Sequence, residues 1–388
     1  MMRELWLKIG ETSGARVYSL FTSLLVLTIT ARWLGPAGRG EIAASLVWAN
    51  LFYVCGYMSL NLVAMHIAGD RGDEILPALF GTLLFVAFAV TVAGWIVANA
   101  LFLFHRVVFG EIRASVLAIA FAALPFLILE QYGNGLLLAT NRLRVYNRAI
   151  MIGKTLVFVC VGIAYLLGFD IRAAIAATVI GQVALVVTSA APLVRASAGR
   201  MTFDGQILKK LLIGAQKLHP STVSNFVYAY VGVLVMNRYL GPSQTGIYQF
   251  AVQLFEVMLV VPYAANIVLF AKTGETGVHN AWPYQRRVLL MLVGVMAGAG
   301  IVAAVAAPFA IPLVGGRAFL PSVSPFRHLL IALCFLTVSA VMTSQWIGRG
   351  LFLPLSILNI AYVAISLAAN LILTPRFGMS GAVASLIL

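Results

Sequence analysis

Lys217, Ser221, Asn225 and Tyr228 recur at i, i+4, i+8 and i+11 along an otherwise apolar segment, a spacing that gathers them on one face of an α-helix. A cation followed by hydroxyl and amide groups is chemistry for holding an anion through charge-assisted hydrogen bonds. Two other apolar segments carry the same types. Arg16 has Ser19 and Ser23 at i+3 and i+7, and Lys154 lies more than two turns inside its segment, with Arg148 toward one end. Tyr57 with Asn61, and Gln131 with Asn134, add groups that a sugar or phosphate would bond, although bonding between helices accounts for them equally. Two deep carboxylates remain. Glu130, and Glu256 beside Gln249 and Gln253, either receive a proton or cation, or pair internally with Arg16 or Lys154.

Other chemistry is poorly served. Gly153-Lys154-Thr155 imitates the end of a phosphate-binding loop, but Arg148 stands where its first glycine belongs and no strand precedes it. Cys55, Cys160 and Cys334 each stand alone in an apolar stretch, with no paired spacing and no histidine to complete a metal site, so they read as packing residues. No cofactor and no metal is implied. Gly294-x-x-x-Gly298 and Gly300 read as a face for close helix packing.

The elements that must position these residues are membrane spans. The 388-residue chain is 62% hydrophobic and only 10% charged, which leaves too little polar surface to solvate a globular domain. Its 26 Lys and Arg against 12 Asp and Glu are scattered between apolar stretches rather than gathered on a soluble face, which favours a membrane or a membrane-borne anion over nucleic acid. Stretches long enough to cross roughly 30 Å of hydrocarbon are expected near 13–33, 41–65, 76–102, 113–138, 145–168, 172–194, 211–237, 246–271, 288–314, 328–347, 352–373 and from 379 onward. The fold class is therefore all-α and polytopic, with about twelve transmembrane helices. The last stretch is only about half a crossing, so the chain is expected to be cut short there. Arg and Lys dominate alternate short loops, among them Arg142, Arg144, Arg195, Lys209, Lys210 and Arg286, which puts both termini in the cytoplasm.

The chain also repeats itself. Arg32-Trp33-Leu34-Gly35-Pro36 returns as Arg238-Tyr239-Leu240-Gly241-Pro242, 206 residues later, and the pattern Phe169-x-x-x-x-Ala174-x-Ala176 returns from Phe377, 208 residues later. Two six-helix lobes follow, 1–196 and 214–388, joined by a cytoplasmic linker over 197–213. With an even number of spans each, they share one orientation and are expected to be related by a pseudo-two-fold along the membrane normal, with a cleft between them that opens alternately to each side.

Six plus six spans, the repeated Arg-aromatic-Leu-Gly-Pro-x-x-x-Gly turn, and the turn Pro375-Arg376-Phe377-Gly378-Met379-x-Gly381-Ala382 together resemble the polysaccharide-transporter branch of the multidrug/oligosaccharidyl-lipid/polysaccharide flippase superfamily, the O-antigen or exopolysaccharide flippase type. The resemblance implies a non-enzymatic, multi-pass protein of a bacterial inner membrane that moves a polyprenyl-pyrophosphate-linked glycan to the periplasmic leaflet, alongside membrane lipids and other polysaccharide assembly proteins. It also implies cationic cavity residues in the first and seventh helices, where Arg16 and Lys217 match by span. Arg148, Lys154, Asn225 and Tyr57 extend that basic, polar cleft. The rival readings are a cation-coupled multidrug antiporter of the same superfamily, which would rely on Glu130 or Glu256, and a flippase for the peptidoglycan lipid precursor.

Overall fold

The computed structural model describes the backbone of residues 2–387 apart from Ala198, Leu218 and Gly350. Side chains are described from residue 14 on, except 267, 268, 270–272, 274–276, 347, 348, 352, 353, 355 and 356. The described residues are helical throughout, in thirteen α-helices linked by short turns and 3-10 segments. In order they are α1 (Met2–Gly56), α2 (Leu60–Arg71), α3 (Leu76–Phe104), α4 (Ala114–Ala122), α5 (Leu124–Ala139), α6 (Leu143–Leu166), α7 (Ile171–Ala196), α8 (Gly205–Ala215), α9 (His219–Thr276), α10 (Val278–Gly315), α11 (Val323–Gly348), α12 (Phe352–Phe377) and α13 (Met379–Ile387). Among the described residues, nine helical stretches are long and apolar enough to cross a membrane, and three of these run for 43, 45 and 48 residues, about two crossings each. This is a multi-pass, all-α membrane protein.

Contacts divide the chain into two units. The first holds residues 1–34 and 41–226, and the second holds 35–40 and 227–388. The stretch read as a linker belongs to the first unit. Thr202 N donates to Pro77 O at 3.1 Å, Asp204 N donates to Thr82 Oγ1 at 3.0 Å, and the Asp204 carboxylate caps α8 by accepting from Gln206 N and Ile207 N.

The repeated Gly-Pro words take the same backbone shape. Each ends one helical run and opens the next across a single non-helical residue. Gly35 (φ 63°, ψ −174°) and Gly241 (φ 76°, ψ 176°) each set a single-residue kink inside α1 and α9. A side chain would be strained at that φ, and the proline that follows has no amide hydrogen to lose from the ladder. Five residues past each kink comes a second glycine. A methyl group on Gly40 would overlap the Pro242 carbonyl, and one on Gly246 would overlap the Pro36 carbonyl, so the two segments touch backbone to backbone within the second unit.

Two expected spans are broken. The 41–65 stretch is interrupted at Tyr57–Ser59, where Met58 and Ser59 sit at φ 50° and 53°, a left-handed conformation that costs ordinary residues of order 1–3 kcal/mol each. The 113–138 stretch bends at Ala123, because Pro125 cannot donate to the carbonyl of Phe121 four residues back. Phe121 O accepts a backbone N–H at the α4 C-cap instead, and Trp95 Nε1 also donates to it at 3.0 Å.

Helix packing in lipid depends on small residues rather than on hydrophobic burial. Gly153 and Gly181 are such residues, since a methyl on either would lie 2.8 Å from the other's carbonyl oxygen. The false phosphate-loop glycine is thus a contact point between α6 and α7. Gly294 and Gly298 depart from expectation: both face open space, and only Gly300 of that set lies against a neighbour, Leu333. The buried polar contacts of the second unit instead join α10 to α11. Gln285 Nε2 donates to Val341 O and Ser344 Oγ, both at 2.7 Å, and Gln345 donates to Gln285 Oε1.

Candidate functional site: a cationic seam in the first unit

Glu130 on α5 is the centre of a polar seam. Its carboxylate accepts a hydrogen bond from Gln182 Nε2 of α7 and lies within electrostatic reach of Lys154 on α6 and of Tyr53 and Tyr146. Tyr146 is in turn within reach of Arg16 on α1. Two residues on from that arginine, Tyr18 meets Thr155 at 2.6 Å. The Thr155 hydroxyl already donates to Met151 O at 2.7 Å, so Tyr18 is the donor in this bond. That contact ties the start of the first span to α6 beside Lys154. Arg16, Lys154, Tyr146, Glu130 and Gln182 therefore form one cluster supplied by four helices.

Tyr57 is brought close but plays a different part. It is buried at the break after α1, its ring stacks on Tyr53 at 5.0 Å, and its carbonyl accepts from Tyr132 Oη at 3.1 Å. The edge of His219 meets the same ring at 6.2 Å. His219 Nδ1 lies 3.3 Å from Ser59 Oγ, which donates to Thr222 Oγ1 at 3.1 Å. The start of α9 thus holds the left-handed residues in place. His219 carried no signal in the sequence, because its partners lie some 160 positions away.

The remaining expected residues are spread out. Arg148 is exposed on α6 and Asn225 is exposed on α9. Lys217 is exposed in the turn between α8 and α9 and is not on the helix, so the i, i+4 register with Ser221 starts one step late. Tyr228, the last member of that stripe, belongs to the second unit, where its hydroxyl donates to Leu386 O at 3.2 Å and its ring packs on Tyr362. Glu256 is exposed on α9 in the second unit, within electrostatic reach of Tyr230, Tyr248 and Tyr263. Its expected neighbours Gln249 and Gln253 serve another group: the buried Arg39 donates to their side-chain oxygens at 3.3 and 2.8 Å.

One more charged pair escaped the sequence reading. The Glu41 carboxylate accepts from Arg113 Nε, Nη2 and backbone N, all at 3.0 Å. That hydrogen-bonded carboxylate raises the Arg113 guanidinium above its ordinary value and locks it in its cation form.

The seam sets two cations, tyrosine hydroxyls and one amide around a single carboxylate. No protein-family model and no curated protein matches the sequence. Solved structures match in fold. A multidrug resistance MATE family transporter of the MOP superfamily, in an inward-facing conformation, aligns with 94% of this chain and 90% of its own at TM-score 0.72 and 17% identity. The lipid II flippase MurJ, in an inward closed conformation, aligns with 97% of this chain and 84% of its own at TM-score 0.73 and 12% identity. A MOP superfamily transporter from Pyrococcus furiosus, described as having a binding pocket of reversed polarity that suggests a different function, aligns over 98% and 89% at TM-score 0.57 and 15% identity. The fold is that of MOP superfamily transporters.

Proposed function

We propose that this protein is a flippase that carries a polyprenyl-pyrophosphate-linked oligosaccharide from the cytoplasmic to the periplasmic leaflet of a bacterial inner membrane, for cell-surface polysaccharide synthesis. The observation that carries this reading is the sign of the seam. Arg16 and Lys154 stand there against the single carboxylate Glu130, while residues 14–34 and 219–240, the first and seventh spans, contain no carboxylate at all. A pyrophosphate needs cations along its path, and its polyprenyl tail stays in lipid. The MurJ neighbour, named as a lipid II flippase, supports transport of a lipid-linked precursor on this fold.

No ATP is required. Two negative charges moving outward across an inside-negative potential of about 100 mV release up to roughly 4–5 kcal/mol, less any charge the protein carries with them. Alternating access supplies the route, and both termini stay in the cytoplasm.

The test is flipping of a fluorescent polyprenyl-pyrophosphate oligosaccharide in proteoliposomes. Replacing Arg16 and Lys154 by Ala is expected to lower the rate by about ten- to a hundredfold, the range for one to two charge-assisted bonds. Lys154→Arg should retain most of it. Unchanged flipping in a folded double variant overturns the assignment.

The exposed carboxylate Glu256 favours a second reading, a cation-coupled multidrug antiporter, on a fold shared with a multidrug resistance MATE family transporter. Proton-linked efflux of a cationic dye that depends on Glu256, with no lipid flipping, selects it.

A further inference from the structure

A groove of about 380 Å³ opens between α3 and α4 and shares no residue with the cationic seam. Trp95, Asn99 and Phe102 line it from α3 at i, i+4 and i+7, and Ala114, Ala118 and Ala122 face them from α4 at i, i+4 and i+8. Aromatic rings set against a row of methyl groups leave the space between the helices unfilled. Its volume falls within the range of small-molecule sites, roughly 300–1,000 Å³. The walls are fixed: Trp95 Nε1 donates to the Phe121 carbonyl at 3.0 Å, and Asn99 Nδ2 donates to Trp95 O at 2.8 Å.

Depth and charge say what fits. Trp95 lies nine residues before the end of α3 at Phe104, about 14 Å of helix, which is about half of a 30 Å hydrocarbon core. The groove therefore runs through one leaflet. At its mouth the Arg106 guanidinium sits 5.2 Å above the ring of Phe102, with no carboxylate partner among the described residues. Arg113, at the same end, is already clamped by Glu41, and His105 and Glu111 are exposed in the same loop. Asn99 is exposed about a turn inside the membrane end of α3; one of its amide hydrogens is taken by Trp95 O, and the rest of the amide is available to a polar group in the groove.

We propose that this groove is a lipid site that seats one acyl chain of an anionic phospholipid, with the phosphate at Arg106 and the ester region at Asn99. A zwitterionic lipid would fill the apolar part equally but bring no net charge to the cation.

The test is native mass spectrometry of the full chain in detergent, titrated with phosphatidylglycerol or phosphatidylcholine. The wild type is expected to retain phosphatidylglycerol preferentially. Arg106→Gln should weaken that retention about tenfold, the loss of one charge-assisted contact, and Ala118→Leu should weaken retention of both lipids by filling the groove. Arg327→Gln, an exposed arginine bonded to the Ala304 carbonyl elsewhere, should change nothing. A thermal-unfolding scan separates a misfolded Ala118→Leu from a filled groove, and Arg106→Gln, on an exposed loop, keeps the result decisive if Ala118→Leu fails. Equal retention of the two lipids by the wild type overturns the proposal. So does equal phosphatidylglycerol retention by Arg106→Gln, or a polyprenyl phosphate that depends on Arg106 while phosphatidylglycerol does not.

Discussion

At the residue scale, the charges divide into those held by protein and those left for something else. Glu41 and Arg113 belong to the first kind, and because Arg113 is half exposed, Glu41→Ala is expected to destabilise the fold by only about 0.5–1.5 kcal/mol, measured as a lowered unfolding midpoint in detergent. Arg16 and Lys154, which no carboxylate clamps by hydrogen bonds among the described residues although Glu130 is within electrostatic reach of Lys154, are nearer the second, and their removal should slow transport with little change in that midpoint. The sequence made Lys154, Glu130 and Arg16 legible because ionisable groups at membrane depth are conspicuous. It could not show that Arg39 reaches Gln249 and Gln253, since a partner more than 200 residues away leaves no local pattern.

At the element scale, hydropathy located the spans, and the repeated Gly-Pro words mark where one helical run ends and the next begins. What it missed were the breaks inside spans. Pro125 gives a reason for the bend at Ala123, but Met58 and Ser59 are ordinary residues in a left-handed backbone, where the Ser59 hydroxyl is bonded to His219 and Thr222. Replacing His219 by Ala should relieve that restraint and raise proteolysis or hydrogen exchange around 57–60. Gly35→Ala and Gly241→Ala should each cost about 1 kcal/mol from strain at positive φ. Gly40→Ala and Gly246→Ala should cost more, about 1–3 kcal/mol each, because the added methyl meets a backbone that cannot step aside. Thermal unfolding of the four variants ranks the two effects.

At the scale of the whole molecule, the division into two units departs from chain order in one place. Residues 35–40 lie within the first forty residues yet are grouped with the second unit, held by the Gly40 and Gly246 contact and by Arg39. Expressed alone, 227–388 is expected to be more protease-sensitive than in the full chain, and co-expression with 1–226 should restore its protection. Restoration by a fragment that carries Arg39→Ala and Gly40→Leu would show that the hexapeptide is dispensable.

That early hexapeptide also sets a clock on biosynthesis. Its docking partners begin at Val227, nearly 190 residues after Gly40 leaves the ribosome, which at about 5–20 residues per second is roughly 10–40 s of translation. For that interval a kinked helix stands in the bilayer with a bare glycine backbone and a cation awaiting two glutamines, a nascent intermediate open to insertion chaperones and to quality-control proteases. A slow codon or a pause between the two units would lengthen that exposure, so the protein's yield in cells should depend on translation speed as well as on its final stability.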